Sequence, residues 1–135
     1  MCYSIDEPVK EKTFTGYKLV TRDAHGNLYS AFTGVRYEAG KTMKHPKKPG
    51  KYMSWLRTCP ISTTSTNYNE KVIGRTAVFV NEAIARSYAC CMIDCFDNLC
   101  LAKMTISDDL KDGLFSGNYI VSGKKIESVK FIETL

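Results

Sequence analysis

The residues best suited to bind a charged ligand lie in the middle of the chain. No acidic residue occurs between Glu38 and Glu70, and this basic interval (residues 39–69) holds six cationic side chains: Lys41, Lys44, Lys47, Lys48, Lys51 and Arg57. The rest of the chain has thirteen basic and fourteen acidic residues, so the interval carries the whole excess behind the net charge of +5. A concentrated positive charge creates a local potential that attracts anions. The alternative is a solvated loop that only aids solubility, because salt screens exposed charges.

Aromatic side chains accompany these charges, namely Tyr52, Trp55 and Tyr68. Bases stack on aromatic rings while lysines and arginines contact phosphates, so the combination is typical of nucleotide or nucleic-acid binding. Two prolines and a glycine within residues 41–52 predict an exposed loop, because proline lacks the N–H that a strand donates. We therefore expect the ligand to be bound by these residues: Lys44, Lys47, Lys48, Lys51, Tyr52, Trp55 and Arg57.

Six cysteines form the second group of reactive side chains: Cys2, Cys59, Cys90, Cys91, Cys95 and Cys100. Residues 1–12 contain Asp6, Glu7 and Pro8 where a secretion signal has a continuous apolar run. We therefore expect a cytoplasmic protein whose cysteines stay reduced and pack as small apolar side chains. No stretch of about 18 apolar residues occurs, so no membrane partner is expected.

Zinc binding is the alternative for the cysteines. Cys91 and Cys95 are one helical turn apart, and Cys100 follows them. A fourth ligand would have to come from Cys59 or His45. Structural zinc sites usually place paired cysteines on turns rather than within a helix. The sequence therefore predicts no metal and no cofactor.

Residues that would support catalysis are sparse. The two histidines, His25 and His45, do not lie beside a nucleophile motif of hydrolases. No phosphate-binding loop, dinucleotide fingerprint or zinc-protease motif occurs. Cys2 would become an N-terminal nucleophile after loss of Met1, with its own α-amino group as the base. These observations favour a protein that is not an enzyme.

One enzymatic alternative comes from a resemblance. Residues 62–66 (STTST) resemble the Ser-Thr-Ser element of mono-ADP-ribosyltransferases, which stands between a strand arginine or histidine and a later glutamate motif. The resemblance implies that Arg22 fills the first role and that Glu127 or Glu133 fills the second, although the Glu-x-Glu pattern is absent. This alternative predicts a small transferase that uses a nucleotide cofactor and brings these three elements into one site.

The apolar pattern predicts the elements that position these residues. The predicted strands are residues 13–21, 27–33, 35–39, 53–59, 71–80 and 99–107, with a turn at 25–27. A helix is expected over residues 82–96, with Asn81 as its N-cap and an apolar face formed by Ile84, Tyr88, Cys91 and Cys95. Residues 108–117 are expected to be a turn-rich connection. A terminal hairpin would join residues 118–121 to 124–132 through a Ser122-Gly123 turn.

Strands outnumber helices in this order, and tight turns join them. We therefore expect an α+β fold, a mainly antiparallel β-sheet with one principal helix packed on it. Residues 1–12 form a polar lead-in with one edge strand, and residues 13–135 form a single domain.

Three short runs follow one another in the first third of the chain: residues 16–20 (GYKLV), 26–30 (GNLYS) and 37–41 (YEAGK). A strand and the start of a helix follow at residues 78–88. This order resembles small uncharacterised α+β accessory proteins of phages and other DNA viruses. The resemblance implies a viral protein. Some small phage proteins of this size sequester nucleotide signals or block host defence proteins, although no motif of this chain assigns such a role.

The charge pattern favours a non-enzymatic binding protein that engages an anionic partner. That partner would be a nucleotide, a nucleic acid or an acidic protein surface, and the viral resemblance adds a role against host defence. A further alternative is an interaction module that pairs the edges of sheets, including those of a second copy, which would give a homo-oligomer.

Overall fold

The structure, a computed structural model, describes residues 3–31, 36–40, 75–96 and 98–135. Within these ranges the strands are β1 (Tyr3–Pro8), β2 (Thr13–Arg22), β3 (Leu28–Ser30), β4 (Thr76–Phe79), β5 (Leu99–Ser107), β6 (Lys111–Phe115), β7 (Asn118–Gly123) and β8 (Lys125–Thr134). The helix α1 (Glu82–Met92) continues into a 3-10 turn (Ile93–Cys95). The described strand pairs are antiparallel. The expected α+β class, with one principal helix on a mainly antiparallel sheet, is confirmed.

The strands lie in the order β1-β6-β7-β4-β2-β5-β8, and β3 pairs with β2. The ladder between β2 and β5 runs from Thr13 opposite Ser107 to Thr21 opposite Leu99, and β8 lies on the other side of β5. These pairings confirm the strands predicted at residues 13–21 and 99–107. The edge strand expected within residues 1–12 is β1, which pairs with β6.

The sheet curls so that its two halves meet at one end. A single residue, Lys124, connects β7 to β8, although β4, β2 and β5 separate these strands in the sheet order. The sheet must therefore bend until the end of β7 touches the end of β5. A Cβ atom built on Gly123 would lie 2.7 Å from the carbonyl oxygen of Ser107, so this approach requires a glycine. We call residues 107–110 and 122–126 the curled end.

The curl gives the sheet two buried apolar faces. Side chains on the inner face come from both halves of the sheet, and they include Val20, Val78, Cys100, Ala102, Met104, Ile106, Val121 and Ile126. On the outer face the sheet packs against α1 through Leu19, Phe79, Leu99, Leu101 and Ile120. Alternate residues of β5 thus point into different clusters, as its apolar periodicity predicts.

The helix α1 begins where the sequence predicts. The Asn81 side-chain oxygen accepts the N–H of Ile84 at 2.9 Å and caps the first turn. The buried stripe consists of Ala85, Tyr88, Ala89 and Met92, so the prediction that Cys91 faces the sheet was wrong. The two alanines are small and allow close packing on the outer face. The α-helix ends at Met92 rather than at residue 96.

Two predictions near the C-terminus were wrong. Residues 108–117 contain the strand β6, which forms a hairpin with β7. The turn of that hairpin is Ser116-Gly117, where both residues have the positive φ that a tight two-residue turn requires. Because Gly123 belongs to β7, residues 122–123 are not a hairpin turn, and β8 pairs with β5 instead.

The strand predicted at residues 35–39 is also wrong where the structure describes it. Arg36 forms an isolated bridge with Tyr29, and residues 37–40 are not extended into a strand. Tyr37 is buried in the inner cluster instead, and its N–H donates to the carbonyl of Leu28. The strand predicted at residues 53–59 lies outside the described residues.

Candidate anion-binding site

The residues predicted to bind the ligand all lie outside the described residues, within segment 41–74. They are Lys44, Lys47, Lys48, Lys51, Tyr52, Trp55 and Arg57. The structure does describe Gly40 and Arg75, the two residues that border the segment. Their positions decide where on the sheet the segment starts and ends.

Gly40 and Arg75 are both held at the curled end. The N–H of Gly40 donates to the carbonyl of Ile126 at 2.7 Å, near the start of β8. The guanidinium of Arg75 reaches Ser122, at the end of β7, and Asp109. Lys124 joins these strands, and its N–H donates to the carbonyls at the end of β5. The two residues that border segment 41–74 therefore lie at the same end of the sheet.

Arg75 is the buried anchor of this end, with only 5% of its side chain exposed. Its Nε donates to Ser122 Oγ at 3.0 Å, and Nη2 donates to the Ser122 carbonyl at 3.2 Å. Nη1 donates to the Asp109 carboxylate at 2.8 Å, and Nη2 also donates to the Asp109 carbonyl. A buried guanidinium requires such partners because an uncompensated buried charge is strongly destabilising. Arg75 thus fixes the start of β4 against β7.

Two cations contact the carboxylate of Asp109, and the charge of a third acts on it from the neighbouring strand. Besides Arg75, the ammonium of Lys124 lies 3.6 Å from the same oxygen, Oδ2. The hydrogen bond from Arg75 holds the pKa of Asp109 below its usual value, and the charges of Arg75, Lys111 and Lys124 act in the same direction. Asp109 is nevertheless 41% exposed. The curled end therefore presents a carboxylate to solvent within a group of cations.

An unusual backbone conformation aims this carboxylate. Asp108 and Asp109 have φ angles of 66° and 55°. Few non-glycine residues adopt positive φ, although aspartate tolerates it better than most. Through these two residues the chain turns back after β5, and both the carboxylate and the carbonyl of Asp109 face Arg75.

Sequence reasoning missed this cluster. Arg75 and Ser122 are 47 positions apart, and nothing in a single sequence pairs them. The available signal was the Asp108-Asp109 dipeptide, since consecutive aspartates are typical of turns.

The cysteines follow the prediction only in part. Cys100 is buried in the inner cluster, as expected of a reduced cysteine. Cys90 and Cys91 are exposed, because α1 turns its alanines rather than these thiols to the sheet. Cys2, Cys59 and the Cys95 side chain lie outside the description. Within the described ranges, no group of three potential metal ligands occurs.

The residues of the transferase alternative are spread over the sheet. Arg22 stacks over the ring of Phe131, 4.4 Å from its centroid, on the inner face. Glu133 pairs with Arg86 of α1 on the outer face. Glu127 accepts a hydrogen bond from Ser107 at the far end of β8. The structure brings Arg22 together with neither carboxylate, and residues 62–66 lie outside its description.

The two edge strands concern the alternative in which the protein pairs the edge of its sheet with another chain. Strands β1 and β8 end the described order. The register of β8 against β5 shifts twice, at Leu101/Ala102 and at Thr105/Ile106. Bulges and lysines on an edge strand hinder pairing with another strand. β8 carries both, since Lys125 and Lys130 belong to it.

Comparison of the chain with protein-family models found no matching family. Comparisons with curated proteins and with solved structures found no match either. In the part of the chain that the structure describes, no helix is long and apolar enough to cross a membrane.

Proposed function

We propose that the protein is a non-enzymatic binding protein that engages an anionic partner through its basic interval. The observation that supports this most is the position of Gly40 and Arg75. Both residues that border segment 41–74 are held at the curled end, so the chain that carries the basic interval joins the described sheet there. We infer that these like charges, which are close together in the sequence, attract one anionic partner jointly.

The charge balance supports the same proposal. Segment 41–74 contains seven basic residues and one glutamate, whereas the rest of the chain contains twelve basic and thirteen acidic residues. Without the segment the chain would be almost neutral, so long-range attraction of anions originates there. Arg75, Lys111 and Lys124 place further cations where the segment starts and ends.

The aromatic residues favour a nucleotide or a nucleic acid over an acidic protein surface. Tyr52 and Trp55 provide rings on which bases stack, and stacking contributes about 1–3 kcal/mol per base. A viral origin and a role against host defence rest on the resemblance of residues 16–41 and 78–88 and remain predictions.

Charge reversal in the basic interval tests the proposal. The variant Lys47→Glu/Lys48→Glu is compared with Lys10→Glu/Lys12→Glu, which makes the same charge change at two exposed residues before β2. Binding of a fluorescent single-stranded 20-mer is followed by anisotropy over a salt series. We expect the interval variant to lose about tenfold in affinity at low salt. The slope of log affinity against log salt concentration should become shallower by about 1.4, because each lost phosphate contact contributes about 0.7.

The control variant should stay within about threefold of the wild type, because its charges lie outside the interval. Equal affinities of the wild type and the interval variant at low salt would contradict the proposal. An equal loss in both variants would show that only total charge matters.

A further inference from the structure

We propose that the carboxylate of Asp109 stands in a phosphate site built by Arg75 and Lys124, with Lys111 on the neighbouring strand β6. The site lies entirely within the described residues, at the curled end. The proposal rests on the proposed function, which it deepens by naming the phosphate group as the chemistry recognised beside the basic interval.

The geometry around Asp109 is that of an oxyanion site. Nη1 of Arg75 and Nζ of Lys124 approach one oxygen, Oδ2, at 2.8 Å and 3.6 Å. Lys111 lies opposite Ser122 in the ladder between β6 and β7, and its positive charge also acts on Asp109. Arginine and lysine bind carboxylate and phosphate oxygens through the same charge-assisted hydrogen bonds. A phosphate oxygen in the place of Oδ2 would keep these contacts and carry more negative charge.

The carboxylate can leave without dismantling the site. Arg75 keeps its bonds to Ser122 Oγ and to the carbonyls of Ser122 and Asp109, none of which uses the carboxylate. Asp109 is 41% exposed, so its side chain has solvent to turn into. The guanidinium therefore stays oriented toward a position that an external anion can take.

The backbone conformation at Asp108 and Asp109 also supports the proposal. Two consecutive non-glycine residues with positive φ, Asp108 and Asp109, form the turn that carries the carboxylate. Such conformations are costly and cluster at functional sites. If Asp109 only anchored β4, the ion pair would still form, but phosphate would bind no better than any other salt.

The variant Asp109→Asn tests the proposal. Asparagine has the same size and tolerates positive φ, and it removes the negative charge that competes with phosphate. Asp94→Asn is the matched control, because it removes one charge from an exposed residue of the 3-10 turn. Inorganic phosphate binding is measured by calorimetry and by the rise in Tm relative to sodium chloride of equal ionic strength.

We expect Asp109→Asn to bind inorganic phosphate about tenfold more tightly than wild type, which corresponds to about 1.4 kcal/mol. Adding Lys124→Gln should abolish that gain, and Asp94→Asn should match wild type. The binding of adenosine monophosphate is then compared with that of adenosine, and the binding of a 5′-phosphorylated oligonucleotide with that of the same oligonucleotide without its phosphate. The pair with the larger difference shows whether the phosphate belongs to a nucleotide or to the end of a nucleic acid. No phosphate-specific response of Asp109→Asn would overturn the inference.

Should Asp109→Asn fail to fold, Lys111→Gln/Lys124→Gln in the wild-type background decides the matter. We expect the wild type to show a phosphate-specific rise in Tm at high phosphate concentration and this double variant to lose it, and equal responses would contradict the inference. Failure here is distinguishable from failure of the proposed function. If only the phosphate site is wrong, oligonucleotide binding still depends on Lys47 and Lys48. If the proposed function is wrong, that dependence is lost as well.

Discussion

At the scale of a residue, Asp23 shows how a short turn holds a carboxylate. Its Oδ1 accepts the N–H groups of His25 and Asn27, both at 2.9 Å. Its Oδ2 accepts the side-chain amide of Asn27 at 3.0 Å and the hydroxyl of Tyr29 at 2.9 Å. These bonds lower the pKa of Asp23 to about 2, and the side chain of Asn27 contributes most. The carboxylate thereby closes the turn between β2 and β3.

We predict that Asp23→Asn lowers Tm at neutral pH and that its effect shrinks in acid. The pKa of Asp23 is about 2 in the folded chain against an ordinary value of 3.8. A lowered pKa means that the carboxylate stabilises the fold above pH 4 and loses this effect as the pH falls from about 4 to 2. Thermal melts followed by circular dichroism from pH 7 to pH 2 measure the difference. A constant difference over that range would contradict the prediction.

Single residues also show where sequence reasoning reaches its limit. The absence of acids between Glu38 and Glu70 can be read from composition, because charge needs no fold to be counted. The pairing of Arg75 with Asp109 exists only because the sheet curls, so no local pattern contains it. The Asn81 cap could be predicted because the capping residue and the helix are adjacent in the chain.

At the scale of elements, β5 could be predicted because its successive side chains alternate between the two faces of the sheet and are buried on both. The terminal hairpin was mispredicted at Gly123. Glycine marks both tight turns and close approaches of backbones, and sequence alone does not separate the two roles. Here the turn is at Gly117, which has a positive φ of 77°, and Gly123 serves the close approach to β5.

We predict that Gly123→Ala destabilises the protein by about 1–3 kcal/mol, the usual cost of forcing extra volume into a packed site. The added methyl group would meet the Ser107 carbonyl at 2.7 Å and Leu110 Cδ2 at 2.9 Å, and the backbone contact cannot move aside cheaply. Urea unfolding followed by circular dichroism measures the change. Ser128→Ala, at an exposed position of β8, is the control and should stay within about 0.5 kcal/mol. Equal stability of the two variants would show that the curled end tolerates a side chain.

At the scale of the whole molecule, the curl explains why a sheet with one described helix has buried side chains on both faces. The helix covers the outer cluster, and the two halves of the sheet enclose the inner one. β5 contributes side chains to both clusters. It has a strand on each side, and Leu101 and Met104 are fully buried on its opposite faces.

Backbone hydrogen exchange should therefore follow the strand order. We expect amides of β5 to exchange on the order of 100-fold more slowly than those of β1, because β1 pairs with one described strand and β5 with two. Opening β5 requires breaking two ladders and exposing both clusters, whereas β1 can detach from β6 alone. Mass spectrometry of peptic peptides after deuterium labelling measures both. Equal protection of β1 and β5 would show that the sheet opens as one cooperative unit instead of from its edge.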